Sequence, residues 1–169
     1  MEKTKEELGK VIVDIVNESF PELKEDKIQI RIFPNIIKSL ESTPPNGIGK
    51  RLVFINRGCL KRSRKSLKGQ LAHELCHIVL DYYNKGFFSS TGHFIRKFLS
   101  SMFNTSFSRK IEVKIEKETI KRGYAREVFS LRKDWKREYG KRKLEKVFYP
   151  RGYFSAERTK IYAEKIGKW

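Results

Sequence analysis

The segment from Leu67 to Val79 constrains this chain more than any other. Leu67, Leu71, Leu75, Ile78 and Val79 recur at helical spacing, and the same stretch carries His73-Glu74-Leu75-Cys76-His77. The periodicity predicts a helix over about Ser66–Tyr83, closed by Asn84, Lys85 and Gly86. Two histidines four residues apart on a helix sit about 40° apart around its axis, so both rings can reach one ion. A pair of ordinary, singly hydrogen-bonded histidines would leave the same pattern. In an apolar helix, however, such rings are partly buried, and buried polar rings need partners. A shared metal supplies one. The glutamate after the first histidine stands beside the coordination position where water binds, which is why His-Glu-x-x-His (HExxH) reads as two zinc ligands and a general base. On that reading His73 and His77 are metal ligands. Glu74 is the catalytic base, taking a proton from water and passing it to a leaving amine.

A catalytic zinc needs a third protein ligand. The long form of the motif would place Gly at position 80 and His at 83, but the chain has Leu80 and Tyr83 there, which excludes that class. Two candidates remain: His93, the third histidine, and Glu112, in Ile111-Glu112-Val113-Lys114-Ile115-Glu116. Glu112 and Glu116 are four apart on one helix face, flanked by Ile111, Ile115 and Ile120 on the same side. With Glu112 on the metal, Glu116 lies one turn on, placed to accept a hydrogen bond from a ligand histidine.

The rest of the chain reads as follows. An amphipathic helix is expected over 4–18 and a half-buried strand over Ile28–Ile32. A short helical turn follows at Asn35–Leu40, and turn chemistry marks a loop at Glu41–Gly47. A second strand spans Arg51–Asn56. Beyond the motif helix, helices are predicted over about 92–103, 109–122 and 125–139, the last basic on its open face, with Gly123 ending the one before it. Ser155 is the N-cap of a final helix through Ile166. The fold class is therefore α+β, mostly helical, with a small sheet preceding the motif helix. At 169 residues the chain fits a single domain.

The formal net charge is +18, and from Ser108 onward 20 Lys/Arg stand against 9 Asp/Glu, an excess of 11. Such a basic C-terminal third is either a Lys/Arg/Glu-rich solvated surface or a nucleic-acid contact. No apolar run approaches the roughly 20 residues of a transmembrane helix. Residues 1–7 lack the apolar core of a signal peptide. With two cysteines, one inside the motif, no disulfide framework is expected, and the cytoplasm is the expected compartment.

From Arg51–Asn56, through the motif, to Glu112–Glu127 the sequence resembles the minigluzincins, small prokaryotic zinc peptidases of the gluzincin type whose third ligand is a glutamate. The stretch Thr119-Ile120-Lys121-Arg122-Gly123-Tyr124 is similar to the exit of that family's glutamate helix. The resemblance implies a zincin-like fold, one Zn2+ per chain held by His73, His77 and Glu112, Glu74 as the base, and peptide or unfolded-protein substrates. It implies that Glu116 stands where the family usually has an aspartate beside a ligand histidine. It also implies that Arg51–Asn56 is an edge strand on which extended substrate pairs. Two features set the chain apart. Residues 85–108 form a long Phe-rich stretch, either an inserted helical hairpin packed on the core or an apolar surface for a partner or membrane. Residues 148–169 form a C-terminal tail, and in this family such a segment can lie in the cleft and hold the enzyme latent.

A second resemblance is to the SprT-like (Spartan-type) proteases, which cleave proteins crosslinked to DNA. There the third ligand is a histidine in a Gly-His context, as in Thr91-Gly92-His93-Phe94, although the residues after His93 do not continue that family's Gly-Pro pattern. A third reading, from another class, is a zinc-binding regulatory or interaction module without turnover.

Overall fold

The computed structural model describes residues 5–33, 41–42, 50–82 and 106–169. The predicted turn at 35–40, the helix at 92–103, His93 and most of the Phe-rich stretch lie outside these residues.

Helix α1, Lys5–Ser19, buries Leu8, Val11, Ile12, Ile15 and Val16, the stripe its periodicity marks. The chain then turns through Phe20–Leu23 into a three-stranded sheet of β1 (Lys27–Phe33), β2 (Glu41–Ser42) and β3 (Lys50–Asn56), in the order β1-β3-β2. β1 and β3 pair in parallel, Ile30 opposite Val53. Ile30, Val53 and Ile55 are buried, while Ile28 and Ile32 pack part-buried against the same core.

Two expectations need correction. Glu41–Ser42 is a strand antiparallel to β3, opposite Phe54 and Val53, and not a loop. Consequently β3 is the central strand of the sheet and not an edge. β1 covers one side along its whole length and β2 covers Val53 and Phe54 on the other. Hydrogen-bond pairing by two short residues is enough to remove the free edge that sequence alone shows no reason to close.

At the exit of β3 the Asn56 side chain accepts a hydrogen bond from the Gly58 amide at 2.7 Å. Helix α2, Arg64–His77, starts one residue after its cap. The Ser63 hydroxyl accepts from the Ser66 amide at 3.1 Å, so the helix begins two residues before the predicted Ser66. A wider turn, Ile78–Tyr82, extends it. Every residue from Gly69 to Ile78 is buried, so α2 is the central helix of the molecule.

Helix α3, Ser106–Thr119, runs on through a turn to Gly123, whose φ of +98° is open to glycine at little cost. That left-handed residue separates α3 from α4, Ala125–Tyr139, which Gly140 ends. Short turns over 141–151 lead to α5, Ala156–Lys165, capped by the Ser155 hydroxyl on the Arg158 amide at 3.1 Å. The main core joins α1, the sheet and α2 with Ile115 and Tyr124. The C-terminal residues have cores of their own. Phe154 packs with Ile120, Ala125 and Ala163, and Leu131, Trp135 and Leu144 form another cluster with Tyr139, Phe148 and Tyr153. The segment after Phe148 is thus part of the folded body. The architecture is mostly helical α+β, with the sheet preceding the motif helix. No helix among the described residues is long and apolar enough to cross a membrane.

Candidate metal centre

The buried helix α2 is not apolar all round. At 100° per residue, Ser66, Gln70, His73, Glu74 and His77 fall within a stripe roughly 100° wide. Leu67, Leu71, Ala72, Leu75, Cys76 and Ile78 fill the remainder and join the core. Helix α3 carries a matching polar stripe of Ser108, Glu112, Glu116 and Thr119, all buried. Placed against each other, the two stripes exclude bulk water, the competitor for these nine polar side chains, from the space between them.

Three donors converge there. His73 Nε2 is 3.3 Å and His77 Nε2 3.5 Å from Glu112 Oε2, and one ligand atom of each residue lies within 4.8 Å of the others. The two imidazole centroids are 5.0 Å apart with planes at 77°. Ligands about 2.0–2.1 Å from a tetrahedral ion stand about 3.3 Å from one another, so the two His–Glu separations match the ligand–ligand edge of a tetrahedral metal site. The histidines use Nε2 towards Glu112. On His73 the other ring nitrogen, Nδ1, faces Glu116 Oε1 at 3.4 Å, within reach but short of good hydrogen-bond geometry.

Charge points the same way. Glu74, Glu112 and Glu116 are each at most 6% exposed, and Arg132, at 2%, is ion-paired to Glu116. Arg62 borders the same space, but its charge is matched by Glu138 at 2.7 Å. Buried carboxylates gathered beside two imidazoles make this space a favourable one for a cation. Two imidazoles and a carboxylate suit zinc better than magnesium or calcium, which prefer all-oxygen sets. Cys76, although inside the motif, is on the core side of α2. Its thiol is pushed up to about 12 by burial and takes no part in the triad.

Two glycines let other elements reach the site. A Cβ on Gly69, one turn before His73, would lie 2.5 Å from the carbonyl carbon of Glu127, so glycine is what permits α4 to close on α2. That contact carries Leu131, Arg132 and Trp135 to the polar stripe, where they share a cavity of about 40 Å3 with His73, Glu74 and Gln70. Gly152, at φ +107°, would place a Cβ 2.6 Å from the Arg109 carbonyl oxygen and 3.0 Å from Glu112 Cβ. Its neighbour Tyr153 packs tilted at 35° against His73, ring centroids 5.8 Å apart, and lines the same cavity. Burial holds the Tyr153 phenol well above its ordinary range, and the nearby Glu112 and Glu74 carboxylates push it further. A much larger cleft, about 1020 Å3, lies between α4 and residues 141–157 and contains none of the triad.

The structure therefore brings together His73, Glu74, His77, Glu112 and Glu116, all singled out in the sequence, while His93 lies outside the described residues. Sequence reasoning missed Arg132 and Tyr153. Arg132 had a readable sign, because it falls on the apolar stripe Val128-Leu131-Trp135 of α4, where a lone cation needs a buried partner. Tyr153 had none. Searches of family models, of curated proteins and of solved structures each returned no match for this chain.

Proposed function

We propose that this chain is a zinc-dependent metallopeptidase of the gluzincin type, hydrolysing peptide bonds in extended or unfolded protein segments. The observation that carries the reading is the convergence of His73, His77 and Glu112 with Glu74 on the adjoining position of the same polar stripe. The reading agrees with the resemblance to minigluzincins, which rests on the same motif and glutamate.

His73 Nε2, His77 Nε2 and Glu112 would hold the ion. When bound, zinc supplies Lewis-acid polarisation of a carbonyl and lowers the pKa of an attacking water. The chain's own residues do the rest. Glu74 is a carboxylate excluded from bulk solvent, positioned to accept the proton of the attacking water and deliver it to the departing amine nitrogen. Glu116 orients His73 from its far side. Gly152 and Tyr153 lie over the ligands, so residues 149–154 cover the centre, which supports the latent state implied by the resemblance. The cover is anchored through Phe154 in a core with Ile120, Ala125 and Ala163 and is not a free arm.

Elemental analysis of purified protein beside His73→Ala, Glu112→Ala and His93→Ala tests the site. One zinc per chain is expected, lost in the first two variants and kept in His93→Ala. Loss in His93→Ala with retention in Glu112→Ala would transfer the third ligand to His93 and move DNA-dependent proteolysis to the front. No metal in zinc-supplemented wild type would end the proposal.

A further inference from the structure

We propose that Arg132 is a positioning residue of the metal centre: acting through Glu116, it fixes the orientation of the His73 imidazole and so sets how tightly the ion is held. The inference rests on reading His73, His77 and Glu112 as the metal ligands.

The contacts form a chain. The Arg132 guanidinium lies over the Trp135 ring, 4.1 Å from its centroid, and over Tyr153 at 5.3 Å, so its plane is pinned by aromatic faces. Its Nη2 donates to Glu116 Oε1. That same oxygen faces His73 Nδ1 at 3.4 Å, and the opposite ring nitrogen, Nε2, faces Glu112. A carboxylate at Nδ1 selects the tautomer protonated there, which leaves the Nε2 lone pair free for a metal. Glu116 is fully buried and takes its position from α3, one turn beyond Glu112. The backbone of α3 does not determine which way the carboxylate turns. Arg132, brought across by α4, does. Glu116 Oε2 and Arg132 Nε and Nη1 are buried without a hydrogen-bond partner among the described residues. The pair is therefore held by one shared oxygen and by stacking, with no second hydrogen bond to keep it in place if either side is altered.

The sign of the effect separates positioning from charge alone. Arg132 is a cation near a cation site, so on Coulomb's law its removal would tighten metal binding. Loss of orientation would weaken it.

The test is a zinc dissociation constant, measured by chelator competition on Arg132→Met, Arg132→Lys, Glu116→Gln and the double variant Arg132→Met/Glu116→Gln. Thermal midpoints and Co(II) absorption spectra are recorded for each. Arg132→Met should weaken zinc roughly 10–100-fold, the range seen when outer partners of ligand histidines are removed. Arg132→Lys, which keeps the charge but loses the planar fork, should weaken it less. In the Glu116→Gln background the Arg132 substitution should no longer weaken zinc, because the carboxylate through which it orients His73 is gone. The Co(II) spectrum should change in Arg132→Met, a readout that a purely structural role would leave alone. Unchanged or tighter zinc binding in Arg132→Met, or full additivity with Glu116→Gln, would overturn the inference. If Arg132→Met does not fold, wild-type affinity in Arg132→Lys together with an unshifted Co(II) spectrum overturns it equally. Absence of zinc from the wild type is a different outcome and defeats the metal reading itself.

Discussion

Arg62 and Arg132 both lie buried between α2 and α4, both border the cavity beside Glu74, and each pairs with a glutamate. They are finished differently. Arg62 donates to both oxygens of Glu138, at 2.8 and 2.7 Å, to the Gln70 side chain, and to the Tyr139 hydroxyl at 3.4 Å. Arg132 has one carboxylate oxygen and two aromatic faces, and two of its nitrogens have no hydrogen-bond partner among the described residues. A guanidinium whose donors are answered by the protein belongs to the fold. One left short among the described residues, and linked through Glu116 to a candidate ligand histidine, is placed to serve a site. The same chemical group thus serves as a clamp at one end of α4 and as part of the candidate metal centre two turns earlier.

The largest expected effect falls on the glutamate between them. Glu74→Gln keeps the size of the side chain but removes its negative charge and its ability to take a proton, replacing one acceptor oxygen with an amide donor. Peptidase activity on an unfolded protein should fall at least about 100-fold. Zinc content should stay at one per chain, and neither arginine pair should be disturbed. Activity that survives the substitution would remove Glu74 as the base. Survival of a biological function with zinc still bound would favour the non-catalytic module instead.

Next in size is the cost of breaking the clamp. Arg62→Met removes the partner of Glu138 and leaves Gln70 facing a methyl group. Because the Glu138 side chain is about a third exposed, water recovers part of the loss, so the cost should be about 2–3 kcal/mol and not the larger figure of a sealed pair. For a chain of this size that lowers the thermal midpoint by roughly 5–10 °C. Zinc affinity of the folded protein should not change. A weakened zinc site in Arg62→Met would erase the distinction between the two arginines.

The elements legible in the sequence were those written in periodicity and caps. The α1 stripe, the pairing of Glu112 with Glu116 on one face, Gly123 between two helices and the Ser155 cap are local facts, and the structure shows each of them. What was not legible depends on which face meets which. β3 reads as an edge because nothing in its own residues announces Glu41–Ser42 beside it. Arg132 falls on the apolar stripe of its helix, so its burial was legible, but its partner Glu116 on another helix was not. Tyr153 reaches His73 through the left-handed Gly152, whose role is fixed by the Glu112 side chain beneath it and not by any neighbour in sequence.

The smallest effect tests the aromatic side of the comparison. Tyr139 touches Arg62 through its hydroxyl, whereas Tyr153 presents its ring face to Arg132 and packs tilted against His73. If residues 149–154 cover the centre, Tyr153→Ala should open it without detaching the chain, since Phe154 still anchors the segment in its own core. Deleting the segment would expose that core and confound the result. A cover closed about nine-tenths of the time lowers apparent substrate affinity about tenfold, so kcat/KM should rise by up to that factor, mostly through KM. The loss of ring packing costs stability, so the comparison is made well below the thermal midpoint of the variant. An unchanged kcat/KM would mean that the segment does not obstruct substrate. A fall in kcat that Tyr153→Phe reproduces would mean that the Tyr153 hydroxyl, its pKa raised by burial and by the Glu112 and Glu74 carboxylates, acts on the substrate as a donor, and the tyrosine would then count with the reacting groups.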